Sequence, residues 1–464
     1  MSPLLANSEN NAFDWPLAYE AEAFLRAQIA AFLAQNTTAR QLAARMAAET
    51  GTDFYEWVDH VTLAPKFTDE LASLGLVEEH VLAPSGWRVF HHPRAMMPRV
   101  VLAAEGSRDS APATLAIRPE SIVDFVARNN LGTSISGGFG ARLRQVEVSN
   151  EGGCSFRAVE RLAYRGFLTE NAPASFTASL QHTRELWRTR QRNFPDDAAG
   201  IAHAFKLQTQ AIASVGADVA CELFFAEERA YWELRNTAAR IQKRRQDLLG
   251  LGWGNHDHHT FRCSRPCFAD LVRFLHHFGF QKRERFYAGA EAGWGAQIVE
   301  HPTTGITVFA DVDLMPDETE TDFSVQPLAP APRLGTVGLW CALHGDSFLQ
   351  AGMHHLEARF AFAALREQIE THGIKTMRPF SDFPFLKQAF TEGERWAVCP
   401  ERVEALRRAQ LITAEQAERF IADGAIGSHL ENLERRGGYK GFNQKAVSAI
   451  IAATDPRVQP AGHA

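Results

Sequence analysis

Two short stretches of the chain combine histidine and arginine at a spacing that suits a metal centre. The first reads DHHTFR (257–262) and the second reads HHLEAR (354–359). In each, an arginine follows a histidine by four residues, and residues separated by an even number lie on the same face of a strand. We therefore expect His258 with Arg262, and His355 with Arg359, to point into one site. The intervening His259 and His354 should point away from it.

A carboxylate is the third group that such a site needs, and Glu431 in the segment ENLER (431–435) is the candidate. Two histidines and one carboxylate form a facial triad that leaves coordination positions open, an arrangement suited to Fe(II), O₂ and a chelating substrate. The predicted metal ligands are His258, His355 and Glu431, with Fe(II) as the cofactor. Asp311 and Asp313 compete with Glu431, although an aspartate at a strand end is more often a turn residue.

Other polar residues offer alternatives. His60 in WVDHVTLA occupies the matching place in an earlier unit and could form a separate site with Glu160, but a metal-free scaffold is the expected role of that region. Cys263 and Cys267 lack the second close pair that structural zinc would need, so reduced cysteines are expected. The Gly-rich stretch at 135–142 has no strand–GxGxxG–helix context and is interpreted as a turn.

Composition limits the classes of protein to consider. The chain has 464 residues, of which 45% are hydrophobic and 22% charged, as is typical of soluble globular enzymes. Its net charge of −7 and the absence of a long Lys/Arg run argue against nucleic-acid binding. No apolar stretch is long enough to cross a bilayer, and the N-terminus lacks a secretory signal. We expect a cytoplasmic protein with a small-molecule partner and no membrane contact. The sequence does not define its oligomeric state.

The elements that would position these residues follow a repeated order. Apolar residues at helical spacing predict a helical cap over 1–50, and two β-α-β-β-β units follow over 51–170. Residues 171–250 are interpreted as a helical connector, and two further β-α-β-β-β units fill 251–464. The predicted fold class is α+β, with paired βαβββ modules, a helical N-terminal cap and a helical connector. Segment 427–436 can be interpreted as a strand or as a helix.

These motifs also resemble known families. The segment from Glu431 to Arg435, with Gly438, Gly441-Phe442 and the helix-like KAVSAII, resembles the C-terminal metal motif of 4-hydroxyphenylpyruvate dioxygenase. The two histidine strands resemble those of the vicinal oxygen chelate superfamily and the H-x-x-x-R and H-L-x-x-R stretches of bacterial 2-oxoadipate dioxygenase/decarboxylase. The resemblance implies Glu431 as third iron ligand, Arg262 as the anchor of a substrate carboxylate, and an N-terminal half without metal.

Together these observations predict an enzyme. We expect a non-haem Fe(II)-dependent dioxygenase that uses O₂ on a small 2-oxo or hydroxy carboxylic acid, with oxidative decarboxylation. Arg262, Arg359 and Arg435 are the predicted catalytic arginines; for Arg262, an ion pair with Asp257 or Glu284 is the structural alternative. A glyoxalase-type metal-dependent isomerase or lyase is the first rival function, and a non-catalytic small-molecule-binding protein is the second.

Overall fold

A computed structural model describes residues 15–103, 112–288, 293–318, 322–443 and 454–457. The predicted helix KAVSAII (445–451) lies outside these residues. None of the helices in the described part of the chain combines the length and the apolarity needed to cross a membrane.

The N-terminal segment forms the two helices that its apolar spacing predicts, α1 (Tyr19–Gln35) and α2 (Thr37–Arg45). Asn36 separates them because its side chain accepts a hydrogen bond from the backbone N–H of Ala39, which starts α2. Leu25 and Phe32 are fully buried and share a hydrophobic core with the first sheet.

The first sheet has seven strands, in the order β2-β3-β4-β1-β5-β7-β6. Its elements are β1 (Val58–Leu63), α3 (Thr68–Ser73), β2 (Val77–Glu79), β3 (Arg88–His91), β4 (Arg99–Leu102), β5 (Thr114–Ile117), α4 (Ile122–Arg128), β6 (Leu143–Glu151) and β7 (Cys154–Arg161).

Four helices connect the two sheets along the chain. They are α5 (Ala174–Arg188), α6 (Asp197–Val215), α7 (Ala217–Glu233) and α8 (Thr237–Asp247). Their buried residues, among them Trp187 and Phe224, share a core with Phe261 of the second sheet. Because Phe261 and His258 are an odd number of residues apart, the connector covers the face of that sheet opposite to His258.

The second sheet has nine strands, in the order β13-β14-β16-β12-β8-β11-β10-β9, with β15 also paired to β16. Its elements are β8 (His256–Arg262), α9 (Phe268–His277), β9 (Gln281–Tyr287), β10 (Trp294–Glu300), β11 (Thr307–Asp313), α10 (Thr336–His344), β12 (His355–Arg359), α11 (Phe362–Glu370), β13 (Ser381–Phe383), β14 (Leu386–Phe390), β15 (Glu394–Trp396), α12 (Pro400–Arg408), α13 (Ala414–Asp423) and β16 (Ala425–Arg435). Segment 427–436 is therefore a strand up to Arg435.

The two sheets are built by the same rule. In each module the first and last strands pair in parallel, as in β1–β4, β5–β7, β8–β11 and β12–β16. The first strands of paired modules run antiparallel, as in β1–β5 and β8–β12. This topology confirms the predicted α+β fold with paired modules. The second module departs from the predicted β-α-β-β-β order because its described residues form three strands, β5, β6 and β7, and the fourth departs because it has α12 and α13 before β16. The boundaries near residues 50, 170 and 250 stay predictions, because adjacency in a structure does not show that a part folds alone.

Candidate metal centre

The centre of the second sheet brings three charged side chains together. His258 on β8 lies directly opposite Glu357 on β12, and Glu357 lies directly opposite Glu431 on β16. Directly opposed residues have Cβ atoms about 4.5–5.5 Å apart, so the three side chains converge on one face. All three are buried, and one donor atom from each lies within 4.8 Å of the others.

His355, the second predicted ligand, lies at the edge of this group. Its Nε2 forms a short contact with Oε1 of Glu357 and lies 3.8 Å from Oε2 of Glu431. The structure thus brings His258, His355 and Glu431 close together, and Glu357 lies among them. Glu357 was not among the residues predicted from the sequence, although its place two residues after His355 was the signal that could have identified it.

The electrostatics of the group fit a cation. Burial opposes a charged His258, but the carboxylates of Glu357 and Asp257 outweigh burial and raise its pKa to about 9. Burial, and then the charge of Glu357, raise the pKa of Glu431 well above its usual value. Bound protons therefore compensate the two facing carboxylates, and a divalent metal ion could replace these protons as the source of positive charge.

Asp257 and Arg435 fix the orientation of His258. Asp257 Oδ1 lies 2.7 Å from Nδ1 of His258, and Arg435 holds both carboxylate oxygens of Asp257 through Nε (3.0 Å) and Nη2 (2.9 Å). This contact leaves Nε2 of His258, which lies 3.1 Å from Oε1 of Glu357, as the atom that faces the group. Arg435 was predicted to be catalytic, but its contacts with Asp257 give it a positioning role.

Arg359 does not join the site. Its Nη1 donates to Oε2 of Glu56 at 2.9 Å, and its Nη2 donates to the carbonyl of Glu56 at 3.3 Å. Strand alternation does place Arg359 on the face of His355, but β12 ends at this residue and the N-terminal segment meets it there. The prediction of a catalytic role for Arg359 therefore finds no support in its contacts.

Arg262 is buried without a counter-charge at hydrogen-bonding distance. Only 1% of the residue is exposed, and Nε, Nη1 and Nη2 have no hydrogen-bond partner among the described residues. The predicted structural alternative does not occur, since Arg435 binds Asp257 while Trp15 and Arg283 bind Glu284.

Asp311 is the acid that acts most strongly on Arg262. Burial raises the pKa of Asp311 to about 8 even though the Arg262 charge lowers it. Burial likewise lowers the pKa of Arg262. Arg262 is not among the residues that line the cavity around His258, but Thr260 and Asp311 are, so its free guanidinium donors lie behind that part of the cavity wall.

An aromatic wall encloses the charged group. Asp311, Thr260 and Gln388 line the cavity of about 50 Å³ together with His258, His355, Glu357 and Glu431. The apolar lining consists of Phe286, Trp294, Phe309, Phe380, Phe390 and Phe442. Such a wall excludes water and strengthens every electrostatic contact inside it.

His259 and His354 make contacts outside this cavity. His259 Nε2 lies 3.3 Å from Nη1 of Arg229 on the connector. His354 Nδ1 lies 2.9 Å from the carbonyl oxygen of Gly427. Both histidines are fully buried and neither lines the cavity, in agreement with the strand periodicity.

The equivalent place in the first sheet lacks the carboxylates. His60 on β1 lies opposite Ala116 on β5, which lies opposite Arg157 on β7. Alternation puts Glu160 on the other face, where it accepts hydrogen bonds from Arg144 and from the backbone N–H of Ile122. The alternative site of His60 and Glu160 is therefore not formed.

Asp313 and Cys267 do not line the cavity around His258. Asp313 accepts hydrogen bonds from the backbone N–H groups of Gly335, Val337 and Gly338, so it caps helix α10, which the sequence analysis did not predict. Cys267 groups with Asp197 and Asp346, whose donor atoms lie within 4.8 Å of one another. Burial raises the pKa of Cys267 to about 12, so its thiol is protonated in this environment.

Comparison with known proteins yields only distant likenesses. No protein-family model matches the chain, and no curated protein matches it. A triple mutant of 4-hydroxymandelate synthase from Streptomyces coelicolor is 13% identical, with a TM-score of 0.29, over 86% of this chain and 98% of that one. Methylmalonyl-CoA epimerase from Mycobacterium tuberculosis is 11% identical, with a TM-score of 0.23, over 39% of this chain and 88% of that one. Likenesses this distant carry no conclusion about activity.

Proposed function

We propose that the protein is a non-haem Fe(II)-dependent dioxygenase that acts on a small 2-oxo or hydroxy carboxylic acid, with oxidative decarboxylation. The observation that carries the proposal is the buried group of His258, Glu357 and Glu431. Arg262, whose guanidinium has no hydrogen-bond partner among the described residues, follows the cavity-lining Thr260 by two residues on the same strand. A metal ion accounts for the first feature and an anionic substrate accounts for the second.

His258, Glu357 and Glu431 would hold the metal. Their single imidazole and two carboxylates give a site of zero net charge with a divalent ion. The predicted facial triad has two histidines and one carboxylate, so Fe(II) would depend on His355 as a further nitrogen donor. When bound, the iron would supply the redox chemistry that O₂ activation requires. His355 contacts Glu357 from the edge of the group, so it either adds a fourth donor or orients that carboxylate.

The surrounding residues keep these donors in place. Asp257 and Arg435 hold His258, and Gln388 donates a hydrogen bond of 2.8 Å to Oε1 of Glu431. Contacts of this kind around a metal typically change its affinity by about 10- to 100-fold. The ring of Phe390 packs against His355, with ring centroids 5.0 Å apart, and limits its movement.

Arg262 would bind a carboxylate of the substrate. Its planar guanidinium can donate two parallel hydrogen bonds, and its free nitrogens have no competing acceptor at hydrogen-bonding distance among the described residues. Asp311 is the acid whose charge interacts most strongly with Arg262. Its raised pKa keeps Asp311 neutral over much of the physiological pH range, so it repels an incoming anion less. A substrate that is itself a 2-oxo acid needs no second 2-oxo acid as co-substrate.

The test combines metal analysis with gas exchange. Protein purified without oxygen and loaded with Fe(II) is offered a panel of 2-oxo acids that carry a second carboxylate or an aromatic ring. We expect the protein to consume one O₂ for each CO₂ released when it is given one of these acids. If iron binds at one equivalent but no acid in the panel consumes O₂, the dioxygenase function is wrong.

A glyoxalase-type isomerase or lyase is the second candidate, and Glu357 is the observation in its favour. A second carboxylate next to a Lewis-acidic metal can leave the metal and act as a general base. Such an enzyme would work without O₂ and with Zn²⁺, Ni²⁺ or Co²⁺. Turnover of a substrate under anaerobic conditions would therefore favour this candidate over the dioxygenase.

A further inference from the structure

A second and larger cavity lies between the two sheets. Its volume is about 540 Å³, within the range of small-molecule sites. Asp59, Arg99 and Arg161 line it from the first sheet, while Asp257 and Arg359 line it from the second. Neither the metal centre nor Arg262 accounts for it.

Most charges on the wall of this cavity occur in pairs. Arg161 Nε lies 2.7 Å from Asp59, Arg359 Nη1 lies 2.9 Å from Glu56, and Lys440 Nζ lies 2.7 Å from Glu300. Glu79 is bound by Arg165 and Asp257 is bound by Arg435. Each of these five carboxylates therefore has a cation of its own.

Two arginines of the wall remain after this pairing. The guanidinium of Arg99 donates to the carbonyl of Arg165 at 2.6 Å, but its carboxylate neighbours Asp59 and Glu79 lie 3.7 and 3.9 Å away and already have other partners. Among the described residues Arg118 has one ion-pair partner, Glu222, at 3.9 Å. The wall thus carries an excess of positive charge.

Arg99 is the more buried of the two arginines. The residue is 9% exposed. Burial, and then the charge of Arg161, lower its pKa to about 9, although the charges of Asp59 and Glu79 act in the opposite direction. A buried arginine in this state gains stability from any anion that reaches it.

We propose that this cavity is a second ligand site, which binds a small organic anion, a carboxylate or a phosphate ester, on Arg99, with Arg118 as the second cation. Asp59 and Glu79 lie 3.7 and 3.9 Å from the guanidinium of Arg99, so the ligand would bind the nitrogen atoms that these carboxylates leave free. The metal-ligand residues do not line this cavity, which among the described residues shares with the metal centre only the supporting residue Asp257, and its ligand need not be the substrate.

Titration calorimetry of the metal-free full chain at low ionic strength tests the proposal, with succinate and inorganic phosphate as separate probes. Because Arg262 also offers an anion site, the titrations are repeated in Arg262→Met. We expect saturable binding of at least one probe that persists in Arg262→Met and weakens by about 30-fold or more in Arg99→Gln, the loss typical of a buried charged contact. The probe that binds more tightly identifies the carboxylate or the phosphate class.

Arg88→Gln is the matched control, since Arg88 is an exposed arginine on the neighbouring strand β3 with its own partner Glu78. It should bind both probes as the wild type does. If Arg99→Gln does not fold, Arg118→Gln replaces it, because Arg118 is partly exposed, and a severalfold loss is expected. Absence of saturable binding, or binding that both Arg99→Gln and Arg118→Gln leave unchanged, would overturn the proposal.

Discussion

His60 and His258 occupy equivalent positions in the two sheets. Each histidine is oriented by the preceding aspartate. Asp59 lies 2.7 Å from Nδ1 of His60 and is bound by Arg161, and Asp257 lies 2.7 Å from Nδ1 of His258 and is bound by Arg435. The residues opposite them differ, since His60 faces Ala116 whereas His258 faces Glu357. The first sheet therefore provides internal controls that keep the histidine and its support but lack the carboxylates.

Glu357→Gln should abolish stoichiometric metal binding, because it removes the donor that lies between His258 and Glu431. His258→Ala and Glu431→Ala should have the same effect, whereas His355→Ala should lower metal affinity by about 10- to 100-fold if His355 only orients Glu357. Metal content after anaerobic loading with Fe(II) is the measurement. His60→Ala is the control and should bind metal normally. Full metal occupancy in Glu357→Gln, together with loss of metal in His355→Ala, would show that His355 and not Glu357 is a metal ligand.

Asp257→Asn should weaken metal binding by about 10- to 100-fold, because His258 loses the carboxylate that orients its ring. It should also destabilise the fold, since Arg435 is left buried without its partner. Asp59→Asn breaks the equivalent contacts with Arg161 and His60 and should cost similar stability with no change in metal affinity. Metal titrations and urea unfolding of both variants separate the two effects. Equal metal affinity in both variants would contradict the role of Asp257.

Arg262→Met should stabilise the substrate-free protein while it impairs turnover. Replacing buried ionic groups by apolar ones of similar volume is often neutral or stabilising by about 1 to 4 kcal/mol. We expect a higher melting temperature, unchanged metal content and a loss in kcat/KM of about 30-fold to several-thousand-fold. Arg262→Lys should lose almost as much activity, because an ammonium lacks the planar fork. A variant that melts earlier but turns over normally would show that Arg262 only supports the fold.

Asp311 should make stability depend on pH between about 4 and 8. Burial raises its pKa in the folded protein to about 8, so the folded state binds this proton more tightly than the unfolded state does. Its contribution to the free energy of unfolding is therefore largest below pH 4 and falls as the pH rises towards 8, by at most about 1.4 kcal/mol per pH unit. Urea unfolding of metal-free protein from pH 4 to 8 measures this slope. Asp311→Asn should flatten it, and an unchanged slope would contradict the prediction.

The sequence alone determined the order of the elements and part of the site. Alternation of period two along DHHTFR and HHLEAR placed His258 and His355 on faces that the structure brings together, and the repeated β-α-β-β-β order predicted both sheets. These features depend on the local periodicity of the chain, which is visible in the sequence.

Register and pairing were decided only by the tertiary structure. Glu357 lies between His258 and Glu431 because β12 pairs antiparallel with β8 and parallel with β16 at one particular register. A shift of two residues would have placed His355 there instead, with the same alternation of faces. Likewise Arg359 and Arg435 could not be assigned from spacing, because their partners, Glu56 and Asp257, are 303 and 178 residues away in the chain. Contacts between distant segments depend on how the sheets pack, and periodicity carries no information about that packing.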